Sequence, residues 1–274
     1  MFGIKTRLTR NNVSLGGKRS QRRKVNLEWW SEKENLGDEL APIIYKWMLG
    51  KKEILPTQEI KETKHLLTVG SVIGMGNFNA TIWGSGIHTL RTAKITIEKE
   101  NFVRYDIRAV RGPITRSILL LAGYDCPKVY GDPAVLMPLI YGGKKEKIKT
   151  DVSIIKHITN DTSREEKGYP YIRMNTTDYR KVIDQIVNSK KIISSSLHGI
   201  ILAEAYGIPA VFLNSGMDNE KMKFFDWYLS TGRTEIKVAN SLDEALHMKP
   251  MSLPNLNGMR MKLIRSFPYD LWEN

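Results

Sequence analysis

Lys191-Ile-Ile-Ser-Ser-Ser-Leu-His-Gly-Ile-Ile-Leu-Ala-Glu-Ala-Tyr-Gly-Ile-Pro-Ala-Val-Phe-Leu-Asn214 reads as strand, loop, helix, turn and strand. The apolar run at Lys191–Ser194 is short and bounded by serines, as a buried strand is. Leu197–Tyr206 is long enough for a helix, and Gly207 ends it. Pro209–Leu213 returns as a second strand. Strand, helix and strand in this order form a parallel βαβ unit. Ligands of such sheets bind at the carboxyl ends of the strands, which is where Ser194, Ser195, Ser196 and His198 fall.

The same alternation extends in both directions. Upstream, Val152–Ile155 is a strand, Tyr169–Met174 another, and Asp178–Val187 a helix. Before them Tyr141–Thr150 is glycine and charge with little to bury, which reads as a linker. The first half has strands at Val25–Trp30, Leu66–Gly70, Thr81–Gly84 and Asp106–Val110. A helix at Leu40–Leu49 has Asp38 as its expected N-cap and Pro42 in its first turn. A second helix, Ile114–Ala122, follows Arg111-Gly-Pro113. Leu242–Met248 and Met259–Phe267 look helical and are expected to pack back across one of the halves. The organisation is therefore a basic arm at 1–24, an α/β domain at 25–140, a linker at 141–150, an α/β domain at 151–240 and a helical segment at 241–274. The fold class is α/β: two doubly wound, Rossmann-like parallel sheets facing a cleft.

Composition narrows the classes. At 41% hydrophobic and 26% charged residues the 274-residue chain can bury a substantial core, which excludes wholesale disorder. No apolar run approaches the roughly 20 residues needed to span a bilayer. The N-terminus lacks a secretory h-region, so a cytoplasmic location is expected. Cys126, the single cysteine, forms no internal disulfide. Lys5, Arg7, Arg10, Lys18, Arg19, Arg22, Arg23 and Lys24, with no acidic neighbour, supply eight of the net +13 charges. Such an arm suits an anionic membrane surface, an anionic glycan, RNA, or a solvated tail.

The strand-end loops carry the chemistry. The helix start after Ser196 has free N–H groups and the positive end of a dipole, both favourable to an anion. Ser195 and Ser196 add hydroxyls, Gly199 is expected to let a ligand approach the backbone, and His198 can hold an anion or move a proton near neutral pH. Asn35-Leu-Gly-Asp38 occupies the corresponding loop of the first half. Gly37 permits a tight turn there, and Asp38 either caps the helix or accepts a proton from a sugar hydroxyl. Arg111 offers a bidentate fork for carboxylate or phosphate, or forms a surface ion pair with a helix acid. Gly70–Gly76 and Trp83-Gly-Ser-Gly86 offer backbone N–H groups to phosphate, but neither is a dinucleotide or P-loop fingerprint. Gly131-Asp-Pro133 reads as a turn. His65, His88, His157 and His247 lack metal-ligand spacing, so no metal is expected. Without G-x-S-x-G, the serines beside His198 are not a hydrolase elbow.

Taken in order, Asn35-Leu-Gly-Asp38, Trp83-Gly-Ser-Gly86, Val110-Arg-Gly-Pro113, Gly131-Asp-Pro133, Ser194–Gly199 and Ala205–Ala210 resemble the polysaccharide pyruvyl transferase family, in its short exopolysaccharide-type branch. The resemblance implies a GT-B-like architecture. It also implies transfer of pyruvate from phosphoenolpyruvate onto two hydroxyls of one sugar, forming a ketal and releasing phosphate. The implied acceptor is a glycan on a lipid carrier, destined for exopolysaccharide or capsule. By position, Arg111 and His198 match residues thought to hold or activate the donor, and Asp38 matches the acid of the first loop. Lys221 or Lys223 matches a downstream donor-binding lysine. Asn35, Gly37, Trp83, Ser85, Ser195, Ser196 and Gly199 are then expected at the substrates. No cofactor beyond the donor and no nucleic acid partner is expected; the arm would hold the enzyme at the inner face of the plasma membrane. A nucleotide-sugar glycosyltransferase is the rival enzyme, and a non-catalytic module binding anionic polymers the rival from outside enzymology.

Overall fold

The computed structural model describes residues 23–98, 103–147, 149–158, 168–214, 216 and 220–273. The acidic-free arm falls almost wholly outside them. Its last two residues, Arg23 and Lys24, lie inside the fold: their carbonyls accept from Ile60 N (2.9 Å) and Lys64 N (3.2 Å).

Two four-stranded parallel sheets organise the molecule. The first contains β1 (Val25–Glu28), β2 (Lys64–Leu67), β3 (Ala80–Trp83) and β4 (Tyr105–Ala109), side by side in chain order. Alternation sends neighbouring residues to opposite faces. Leu66 and Trp83 pack with the apolar stripe of α1 (Leu36–Gly50), at Leu40, Ile44 and Met48. Leu67 and Ile82 pack with Ala93 of α2 (Leu90–Glu98) and Ile118 and Leu119 of α3 (Pro113–Leu121). Helices therefore cover both faces, as expected. The strand order does not reverse, however, because the Gly-rich connection between β2 and β3 and the bridge from Val110 to Tyr130 each add the next strand on the same flank.

The second sheet runs β5 (Thr150–Ile155), β6 (Ser189–Ser194), β7 (Ala210–Leu213) and β8 (Val238–Ala239). Tyr171 bridges Ile154 on the edge of β5 away from β6. The chain thus turns one way after β5 and the other way into β6, so a topological switch point lies at the carboxyl ends of these two strands. The strand expected over Tyr169–Met174 is reduced to this bridge, flanked by Ile154 N to Pro170 O and Ile172 N to Ile154 O (both 2.9 Å). Pro170 has no N–H to extend a ladder. Between β5 and β6 stands α4 (Tyr179–Val187), capped by the Asp178 side chain; α5 (Leu197–Ala205), buried on all sides, links β6 to β7.

Several elements were not anticipated, among them α2, β8 and a 3-10 turn at Tyr269–Trp272, and two more bear on the junction. Asp132 does more than make a turn: its side chain caps a 3-10 helix, Pro133–Leu139, which runs beneath α1 and α5. Residues Lys221–Ser230 form α6, whose buried Lys223 and Asp226 break the apolar pattern by which a helix is recognised in sequence. After α7 (Leu242–His247), the terminal segment crosses to the first half. There α8 (Asn257–Arg265) accepts a bond from Trp83 Nε1 at Leu263 O (2.9 Å), and Arg108 forks onto Asp270 (3.0 and 2.6 Å). Among the described residues no helix is long and apolar enough to cross a membrane.

Candidate active site

The start of α1 is capped by Asn35, not by Asp38. Asn35 Oδ1 accepts from Gly37 N (3.3 Å), while its Nδ2 donates to Asp38 Oδ2 (2.6 Å). This turns Asp38 inward, into the junction between the halves. Leu36 N reaches across to Met174 O (2.7 Å) and fixes the helix start against the second half. Burial pushes the Asp38 carboxyl up to about 6, opposed in order by His198, the Asn35 bond and Lys223, and reinforced by Asp132.

Three helix starts meet here: α1, the 3-10 helix after Asp132, and α5 after Ser196. His198 stands on the first turn of α5 with its Nε2 3.5 Å from Asp132 Oδ2. A Cβ placed on Gly37 would lie 1.9 Å from His198 Nδ1, so only glycine lets the imidazole lie against α1. Gly70, at φ +98°, makes a similar allowance for Asp38, since a Cβ there would sit 2.6 Å from its Oδ1.

A second cluster borders the first. Glu220 accepts from Lys223 Nζ, and its carboxylate lies 3.8 Å from His88 Nε2 and 3.6 Å from His157 Nε2. His88 follows β3, His157 follows β5, and Lys223 comes from α6, so two strand-end loops and a helix contribute. Burial lowers His88 to about 4, with Lys223 adding to the effect. Burial and then Lys223 lower His157 as well. Burial also lowers Lys223, against the pull of Glu220. In Glu220 burial acts upward, but Lys223 and the two histidines outweigh it and leave the carboxyl below its ordinary value. Both imidazoles are therefore pushed toward their neutral form, beside the Lys223–Glu220 contact.

Several expected site residues are engaged by neighbours within the fold. Arg111 is 0% exposed and each of its nitrogens is engaged: Nε with Asp226 Oδ2 (3.0 Å), one terminal nitrogen with Ser71 Oγ (2.6 Å) and the other with Ile87 O (2.8 Å). It is held in a buried ion pair with a helix acid. Trp83 is buried under α8 and Ser85 Oγ donates to Gly70 O (3.0 Å), so Ser85 braces the loop behind Asp38. Ser195 Oγ accepts from His157 N (2.9 Å) and ties the β5 loop to the β6 loop. Ser196 caps α5 without a side-chain cap bond. Gly199 makes room for the Ser194 hydroxyl, 2.4 Å from where its Cβ would be. Of the two lysines, Lys223 is the one buried in the junction, while Lys221 is half-buried at the helix start. Glu220, His88, His157 and Asp132, which the fold brings to this junction, were not among the expected site residues. Strand ends mark the two histidines, because each stands a few residues beyond β3 or β5.

Residues 77–216, just over half of the chain, match the family model described as polysaccharide pyruvyl transferase. The chain belongs to that family. This pyruvyltransferase is 28% identical to an uncharacterized protein of Acanthamoeba polyphaga mimivirus, over 77% of its own length and 75% of the relative's. It is 27% identical to the succinoglycan biosynthesis protein ExoV of Rhizobium meliloti, over 75% of its own length and 64% of that protein's, so it spans less than two thirds of ExoV. A crystal structure of a functionally uncharacterized Klebsiella pneumoniae protein superposes with a TM-score of 0.51 at 14% identity, covering 80% of this chain and 93% of that one, which is a likeness of fold. The enzyme transfers a pyruvyl group to polysaccharide. Asp38 precedes the matched region and Glu220 and Lys223 follow it, yet all three border the matched His88, His157 and His198.

Proposed function

We propose that the pyruvyltransferase takes its pyruvyl group from phosphoenolpyruvate and closes a ketal on two hydroxyls of one sugar, releasing phosphate. The observation that carries this reading is the cluster of Lys223, His88 and His157 around Glu220 beside Asp38. A small molecule with a phosphate and a carboxylate needs compact cationic and N–H donors, and convergent helix starts supply the rest. The depressed imidazoles favour their neutral form and gain protons beside a bound polyanion, since a neighbouring negative charge favours their charged form.

In this scheme His198 delivers a proton to the methylene carbon, making C2 electrophilic. Asp38 takes the proton of the first sugar hydroxyl as its oxygen bonds to C2. Phosphate then leaves, and the second hydroxyl adds to the same carbon. Two hydroxyl protons are removed in all; one replaces the proton placed on the methyl carbon and the other leaves with phosphate. Because the donor already carries the activated pyruvyl group, the scheme uses no further cofactor.

The finer readings belong with it. Two parallel sheets meeting at a junction support a GT-B-like architecture. The basic arm supports a lipid-linked acceptor at the inner, cytoplasmic face of the plasma membrane. Incubation of purified enzyme with phosphoenolpyruvate and a glycan acceptor tests the central step. The expected result is stoichiometric release of phosphate with a pyruvyl mass gain on the glycan. A thermal shift with nucleotide sugars and none with phosphoenolpyruvate would overturn it.

A further inference from the structure

Asp226 lies on α6, in the second half of the sequence, yet its carboxylate is filled by the first half. Oδ1 accepts from Ile114 N (2.9 Å) and Thr115 N (3.0 Å), and Oδ2 from Thr115 Oγ1 (2.6 Å) and Arg111 Nε (3.0 Å). Asp226 thereby caps α3 from another part of the chain, where no residue of the α3 start supplies a side-chain cap. The intervening Gly112 is part of the same contact. A Cβ there would lie 2.0 Å from the Asp226 carbonyl oxygen, so only glycine admits the α6 backbone. Arg111-Gly-Pro113 is thus a socket for Asp226: the arginine neutralises it, the glycine lets it approach, and the proline starts the helix that it caps.

The next residue faces the other way. Trp227 Nε1 donates to Glu204 Oε2 of α5 (2.8 Å), and Glu204 is forked by Arg233 (2.6 and 2.8 Å). On a helix, residues three and four positions beyond Lys223 flank its direction on either side. Asp226 and Trp227 are those residues, one tied to each half. Lys223 therefore points into the junction between them, toward Glu220 and within the field of Asp38 and Arg111.

We propose that Asp226 is a positioning residue, holding α6 in the Arg111-Gly-Pro113 socket so that Lys223 stays in the junction beside Asp38. This rests on the reading of Lys223 as a donor-binding group. A shift of about an ångström in such a group costs on the order of a hundredfold in rate.

The test is a double-mutant cycle in the full chain. Asp226→Asn, and the milder Thr115→Val that spares the charge pair, are each measured alone and with Lys223→Ala, following kcat/KM for phosphoenolpyruvate and KM for the acceptor. Asp226→Asn is expected to lower kcat/KM on the order of a hundredfold and Thr115→Val several-fold, with acceptor KM unchanged. In the Lys223→Ala background both losses should shrink to about twofold or less, because residues acting through one group are not additive. Losses that multiply in that background overturn the proposal. Should Asp226→Asn not fold, Thr115→Val alone decides the cycle. Full activity of Lys223→Ala would refute the donor-binding role of Lys223; positioning is then read from acetylation of the Lys223 amine followed by mass spectrometry. Protection in the native enzyme and labelling in both folded variants is the expected pattern, and unchanged protection overturns it.

Discussion

His198 Nε2 and Asp132 Oδ2 face each other at 3.5 Å, both buried, and neither atom hydrogen-bonds any other group among the described residues. Asp132 is held by its other oxygen, which accepts from Ala134 N (3.0 Å). The pair sits where the halves meet, so a proton held between them is shielded from water. Asp132→Asn should keep the 3-10 cap but remove the charge facing the imidazole. The expected loss in kcat is roughly ten- to a hundredfold, against on the order of a hundredfold for His198→Ala. Phosphate release by the single and double variants checks this, and the double variant should be little worse than His198→Ala.

The pH profile should report Asp38. Its carboxyl is pushed up to about 6 and acts as a base only when ionised, so the acid limb of kcat/KM should rise as pH rises through about 6. Asp38→Asn should lower activity on the order of a hundredfold and abolish this limb. Stability follows the opposite sign. The folded chain holds this proton more tightly than the unfolded chain does, so the contribution of Asp38 to stability falls as pH rises from 3.8 to about 6. Chemical denaturation at two pH values, native against Asp38→Asn, measures that difference.

Arg111→Ala should act on the fold first. It strands the buried Asp226 carboxylate, at a cost of about 3–5 kcal/mol. In a chain of this size that corresponds to a fall in Tm on the order of 10 °C, measurable by calorimetry. Arg111→Lys should rescue little, because one ammonium cannot reach Asp226, Ser71 and Ile87 together. An Arg111→Ala protein with native Tm and a raised KM for phosphoenolpyruvate would return the arginine to the donor site.

Gly37→Ala tests the fit of the imidazole. The added methyl would meet His198 Nδ1 at 1.9 Å, so the ring must leave its place. Activity should fall by tens of fold, roughly the cost of a displaced catalytic group, while circular dichroism is unchanged. An equal loss of activity and helicity would instead mark Gly37 as a folding residue.

The basic arm makes a separate prediction. Deletion should stop at residue 22, because Arg23 and Lys24 hold β2 and its approach through backbone bonds. The truncated enzyme should lose activity toward a lipid-linked acceptor and keep it toward a soluble analogue, and high salt should have the same selective effect. Equal loss on both substrates would leave the arm without a role in reaching the acceptor.

The elements themselves were legible because their signals are local. The alternation of Val25 and Leu27, the length of Leu197–Ala205, and Gly123 and Gly207 just past helix ends all act within a few residues. Parallel sheets with helices, and the placing of His198 and Asp38 at strand ends, followed from those signals alone. Which charges meet was decided by packing. Arg111 and Asp226 are 115 positions apart, and nothing near either distinguishes a ligand from a buried pair. The same holds for Glu220 between His88 and His157, and for Asp132 opposite His198. A charge in sequence carries its sign but not its neighbours, and a buried charge persists only where a distant partner offsets its desolvation. The amino-acid order thus set out the strands, helices and loops that can bear chemistry. Only the closing of the two halves, with α6 docked between them, chose which of the charges would meet at the junction and which would be paired within the fold.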